Sequence, residues 1–61
     1  MYWAYYDASS MTTYYTECSS MTATDFAAVV SRKIGKTLSA GQIPKVQRQS
    51  DLDKMYNVTR I

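Results

Sequence analysis

Side chains that could act as acids, bases, nucleophiles or metal ligands are scarce in this chain. It has 61 residues, no histidine, one cysteine and five carboxylates. Histidine is the commonest general acid or base near neutral pH, so Cys18 has no such partner that could activate it as a nucleophile. The carboxylates are scattered from Asp7 to Asp53 and show no spacing typical of a metal site. The composition therefore predicts a protein that is not an enzyme, with no catalytic residues, no metal and no cofactor.

The single cysteine also limits how so short a chain can be stabilised. Cys18 has no second cysteine with which to form an internal disulfide. As a lone cysteine it is interpreted as a small apolar packing residue rather than a reactive thiol. Domains of this size usually need a disulfide, a metal or a partner subunit, and only the last remains. We therefore expect residues 1–61 to form a single domain that assembles as a homodimer.

The charges are divided unevenly between the two halves of the sequence. Residues 1–31 contain three acids and no Lys or Arg, whereas residues 32–61 contain seven Lys or Arg and two Asp. Such an imbalance carries information about partners rather than about the fold. The basic half either meets an acidic partner or is an ordinary solvated surface. No transmembrane run or targeting segment is recognisable, and the predicted location is the cytoplasm.

Two aromatic segments at the start of the chain predict a β-hairpin. Residues 2–6 and 12–16 are rich in aromatic and β-branched residues, which favour strands. Between them, residues 7–10 contain the Asp and Ser side chains that stabilise turns. Five of the six tyrosines lie in this hairpin. Both faces then carry rings, so one face is expected to pack on the core while the other meets a partner or a second subunit.

A helix over residues 23–34 has the clearest local signals. Thr22 is a suitable N-cap, and Met21 and Phe26 have the spacing of a hydrophobic staple around it. Apolar residues recur at intervals of about four through Ile34, and Gly35 follows in the position that commonly ends a helix. Such a pattern predicts an amphipathic helix with one buried stripe.

The remaining third of the chain gives weaker signals. Residues 36–44 are predicted to be a connector and residues 45–49 are ambiguous. Residues 51–55 could form one helical turn, and residues 56–61 alternate in the manner of a closing strand. The predicted fold is α+β, with a three-stranded antiparallel sheet and one helix packed across it in the order β-β-α-β.

The joint between hairpin and helix carries a family resemblance. It begins with the pair Tyr14-Tyr15, continues through an acidic strand end, and finishes with the pair Asp25-Phe26. In the identity and spacing of these pairs, residues 14–26 resemble a segment of the small uracil-DNA glycosylase inhibitors of Bacillus phages. Members of that family occupy the DNA groove of the enzyme and sequester the leucine that it inserts into DNA.

The resemblance implies a dimeric inhibitor of a host repair enzyme in the bacterial cytoplasm. Phe26 would line the pocket for the inserted leucine, and Glu17 would imitate a phosphate. The implied partner-binding residues are Tyr14, Tyr15, Glu17, Asp25, Phe26, Val29 and Val30. The family is strongly acidic, however, and Ala27 here replaces a second acid. Binding would therefore depend less on charge mimicry and more on capture of the apolar leucine side chain.

Two other functions stay open at this stage. The order of elements also resembles that of short phage proteins that inhibit host RNA polymerase, with Trp3-Ala4 and residues 57–60 carrying the likeness. A small basic nucleic-acid-binding regulator is the third possibility. Direct nucleic-acid binding by the hairpin is not expected, because the aromatic and the basic residues occupy different halves of the chain.

Overall fold

The computed structural model describes all residues, 1–61, as four strands and two helices. Strand β1 is Tyr2–Asp7 and β2 is Thr12–Glu17; helix α1 is Ala23–Ile34. A 3₁₀ turn at Ala40–Gln42 follows. The chain then forms β3 (Lys45–Val46), the short helix α2 (Gln49–Leu52) and β4 (Val58–Arg60).

The sheet is mixed and has four strands in the order β3-β1-β2-β4. The predicted hairpin is confirmed, with Tyr5 opposite Tyr14 in an antiparallel pair. The prediction of three antiparallel strands is wrong in two respects. The ambiguous segment forms the edge strand β3, and the closing strand β4 runs parallel to β2, with Val58 beside Thr13. Parallel pairing requires a long connection, which here is the whole stretch from α1 to α2.

Local signals account for both ends of α1, as predicted. The Thr22 hydroxyl accepts the backbone N–H of Asp25 at 3.1 Å, which satisfies one free donor of the first turn. At the other end Gly35 has φ 72°, and its N–H donates to the carbonyl oxygen of Ser31 at 2.9 Å. A residue with a Cβ is strained in that left-handed conformation, so glycine is the favoured residue there.

Each face of the sheet is covered by a different helix. On one face, α1 buries Phe26, Ala27 and Val30 together with Ile43, against Trp3, Tyr5 and Tyr14. On the other face, Leu52 of α2 packs with Ala4 and Val46, beside Tyr2 and Tyr15. The alternation of side chains along β1 explains the division, because successive residues point to opposite faces. The sequence prediction of one helix missed this second layer.

The short segment between α2 and β4 is fixed by side-chain hydrogen bonds to β2. The Thr13 hydroxyl donates to the carbonyl oxygen of Tyr56 at 2.8 Å. The Asn57 side chain donates to the carbonyl oxygen of Met11 at 3.1 Å, and the Asn57 carbonyl accepts the Thr13 N–H at 3.1 Å. Asn57 has φ 52°, a left-handed conformation that asparagine tolerates better than most residues. These contacts direct residues 55–57 across the end of the hairpin.

Candidate protein-binding surface

The residues implied by the family resemblance do not form one exposed surface. Tyr14 faces α1, whereas its neighbour Tyr15 faces α2, because consecutive strand residues point to opposite faces. Tyr15 packs edge-on against Tyr2, with ring centroids 5.9 Å apart. Both tyrosines are half-buried. Each ring therefore already packs against the domain's own side chains.

Phe26 and Val30 lie in the centre of the core. Both are 0% exposed, and Val29 is half-buried. Met21, the predicted staple partner, packs against the same cluster. In this conformation Phe26 cannot contact another protein. A leucine-binding pocket around Phe26 would require α1 to move away from the sheet.

The acids of the first half are mostly engaged in local interactions. Glu17 forms an ion pair with Arg60, with 3.0 Å between Oε1 and Nη2. Asp7 is buried and accepts the hydroxyls of Ser9 and Ser10. Hydrogen bonding from the Ser10 hydroxyl, at 2.7 Å, is the main cause that lowers the pKa of Asp7 below its usual value; burial opposes it. Of these three acids, only Asp25 keeps an exposed carboxylate outside an ion pair.

The surface with the best geometry for a partner lies on the α2 face, at the closed end of the hairpin. There a pocket of about 280 Å³ opens between β1, β2 and the segment that follows α2. Its lining residues are Ala4, Tyr5, Tyr6, Thr13, Met55 and Tyr56. We call it the Tyr6–Tyr56 pocket. Five of these six residues are hydrophobic, so the pocket suits an apolar group.

Two of the three tyrosines that line this pocket are largely accessible. Tyr6 is 46% exposed and Tyr56 is 62% exposed. Val58 is on the same sheet face, next to Thr13, and is 39% exposed. Tyrosine rings are favoured at protein interfaces, since each offers a broad apolar surface and one polar hydroxyl. The pocket can therefore receive an apolar side chain while the hydroxyls stay in water.

Sequence reasoning assigned no role to Met55 and Tyr56. The sequence predicts that they lie at the junction of a helical turn and a closing strand. It contains no local signal that this junction packs against β1. One signal was available: Tyr56 is the only tyrosine outside the hairpin.

A second pocket, of about 460 Å³, lies at the open end of the hairpin and contains Cys18. It is lined by Met1, Tyr2, Glu17, Cys18 and Ser19. Cys18 is half-buried and forms no disulfide. Nowhere in the chain do three His, Cys, Asp or Glu side chains converge in an arrangement that could hold a metal ion.

Comparison of the chain with protein-family models, with curated proteins and with solved structures found no match. Neither helix combines the length and the apolar character that a membrane-spanning segment requires.

Proposed function

We propose that this protein is a non-catalytic inhibitor that binds a host DNA-repair enzyme, with uracil-DNA glycosylase as the first target to test. The observation that carries the proposal is the Tyr6–Tyr56 pocket, which is apolar, open and bordered by two exposed tyrosines. The proposed location is the cytoplasm of a bacterial host. The choice of target follows from the resemblance of residues 14–26.

The proposed mechanism is apolar capture. An enzyme that inserts a leucine into DNA presents an apolar side chain on a surface that otherwise binds DNA. Transfer of a leucine side chain from water into an apolar pocket is favourable by about 1.5–3 kcal/mol. The Tyr6–Tyr56 pocket would hold that side chain, and the body of the inhibitor would then block access of DNA to the groove.

Charge mimicry has a minor part in this proposal. The Glu17 carboxylate is paired with Arg60, and the Asp7 carboxylate is buried within its turn. A phosphate mimic needs carboxylates that are free to meet the basic side chains of the enzyme, and only Asp25 and Asp53 are exposed outside an ion pair. Glu17→Gln should therefore change inhibition by no more than a few-fold, a loss within the range of an exposed ion pair.

A uracil-excision assay tests the proposal. The wild-type protein should stop excision at a near-equimolar ratio to the enzyme. Tyr56→Ala should weaken inhibition by about tenfold or more, because a rigid aromatic wall of the pocket is lost. Lys33→Ala is the matched control, since Lys33 is an exposed side chain on α1, on the opposite side of the sheet.

Two further assays with the same purified protein distinguish the alternative functions. Inhibition of transcription by host RNA polymerase, without any effect on uracil excision, would favour the second target. The nucleic-acid-binding alternative draws support from Arg32, Lys33 and Lys36, which are exposed near the end of α1 and form no ion pairs. A gel shift that weakens steeply with salt would favour it, whereas an inhibitor of this kind should not shift DNA.

A further inference from the structure

The two edges of the sheet differ in how they are protected against pairing with another strand. At one edge β3 has two residues, follows Pro44 and carries the exposed Lys45. Proline and an exposed lysine are common means of blocking an edge. At the other edge β4 has three exposed residues and no proline. Its only charge, Arg60, is already paired with Glu17.

The hydrogen bonds of β4 show which of its backbone groups are free. The Asn57 carbonyl accepts from Thr13, and the Ile61 N–H donates to Tyr15 at 3.0 Å. Residues 57, 59 and 61 therefore direct their backbone groups toward β2. Because these groups alternate along a strand, the N–H and C=O of Val58 and Arg60 point outward from the sheet.

We infer that this open edge binds the β4 strand of a second copy in antiparallel orientation, around a two-fold axis at Thr59. In that register Val58 lies opposite Arg60 of the second copy, and Arg60 lies opposite Val58 of the second copy. Residues with outward backbone groups then face each other, which gives four hydrogen bonds across the axis. The two four-stranded sheets join into one sheet of eight strands.

The side chains fit the same symmetric arrangement. Thr59 of one copy lies opposite Thr59 of the other copy at the axis, and threonine pairs are favourable between neighbouring strands. No like charges lie directly opposite, because each Arg60 meets a valine and keeps Glu17 as its counter-ion. A two-fold interface must be self-complementary, and this register satisfies that condition in both backbone and charge.

This interface gives the predicted homodimer a defined structure, and the inference does not depend on the identity of the target enzyme. The monomer exposes 3851 Å², close to the roughly 4,000 Å² expected for a folded protein of this mass. The accessible surface is therefore no larger than that of an ordinary folded monomer. The open edge, rather than the lack of a staple, is the reason to expect a second copy.

Chemical synthesis of the chain allows a test at single backbone atoms. N-methylation of Arg60 removes its outward N–H and adds a methyl group between the strands. The matched control is N-methylation of Lys45 at the opposite edge of the sheet. The Pro44 carbonyl accepts the Ala4 N–H and so points toward β1. Because backbone groups alternate along a strand, the N–H of Lys45 points outward. Circular dichroism should show the same fold for all three chains.

Sedimentation equilibrium then measures association. The wild type and the Lys45 N-methyl chain should both have about twice the monomer mass of 6.9 kDa. The Arg60 N-methyl chain should dimerise at least about tenfold more weakly, because each dimer loses two hydrogen bonds.

A wild type that stays monomeric at about 100 μM, or an Arg60 N-methyl chain that dimerises as the wild type does, would overturn the inference. Greater weakening by the Lys45 modification would overturn it as well. A monomeric wild type that still blocks uracil excision would leave the proposed function standing, so the two failures are distinguishable.

Discussion

Truncation of Phe26 separates a core role from a pocket role. Phe26 is 0% exposed and lies in the cluster that joins α1 to the sheet. Replacement of a buried Phe by Ala typically costs about 3–5 kcal/mol. At roughly 0.05–0.15 kcal/mol per residue, the free energy of unfolding of this chain is expected to be about 3–9 kcal/mol. Phe26→Ala should therefore remove between about a third and all of it, and a chain at the lower end of that stability range would be largely unfolded.

Urea denaturation measures the effect, with circular dichroism for the backbone and Trp3 fluorescence for the core. Trp3 packs against the same cluster and donates its indole N–H to the Met21 carbonyl at 2.8 Å, so its emission reports on this packing. Phe26→Leu is the matched control, since it keeps most of the apolar volume and should cost far less. A Phe26→Ala protein whose free energy of unfolding stays within about 1 kcal/mol of wild type would refute the core assignment. If that folded variant also failed to inhibit, the pocket role implied by the resemblance would be favoured.

Two further predictions concern the helix cap and the hairpin turn. Thr22→Ala should lower the free energy of unfolding by about 1 kcal/mol, because the hydrogen bond to the Asp25 N–H is lost; Thr22→Ser should retain most of it, and equal losses in the two variants would contradict the cap. The pKa of Asp7 is lowered, chiefly by the Ser10 hydroxyl, so the ionised carboxylate stabilises the folded state. This stabilisation is fully present above the unfolded-state pKa of about 3.9 and is lost as the pH falls through the folded-state pKa. Thermal melts between about pH 6 and pH 2 should therefore show a smaller acid loss for Asp7→Asn than for wild type, and an equal loss would contradict this origin of the acid sensitivity.

The elements that could be predicted from the sequence are those whose signals are local. Helix α1 begins after Thr22 and ends before Gly35 because the capping groups are adjacent in sequence to the residues they serve. The hairpin is similar, since its turn chemistry lies between the two strands that it joins. A few neighbouring residues contain all the necessary information in each case.

The features that were missed are strand β3 and the parallel direction of the predicted closing strand, and both depend on contacts between distant residues. β4 has only three residues, and its place beside β2 depends on Thr13 and Asn57, which are 44 positions apart in the sequence. β3 is held by two paired residues. Patterns this short do not distinguish strand from loop, nor a parallel neighbour from an antiparallel one.

The Tyr6–Tyr56 pocket was not indicated by the sequence for a related reason. The pattern around Phe26 predicts a hydrophobic staple and resembles a pocket motif at the same time, and only tertiary packing distinguishes a buried ring from an accessible one. Met55 and Tyr56 reach the pocket because α2 folds over the second face of the sheet. Nothing in their immediate sequence neighbourhood indicates that approach.

Methyl NMR of the complex tests the central claim most directly, because two of the four methionines report on the two sites. Met55 lines the Tyr6–Tyr56 pocket, whereas Met21 packs on the Phe26 side. With ¹³C-methyl-labelled methionine, addition of one equivalent of uracil-DNA glycosylase should shift the Met55 signal and produce contacts from its methyl group to a methyl group of the enzyme. The Met21 signal should move little. A complex in which the Met21 signal shifts and the Met55 signal does not, or no complex at all, would contradict the account.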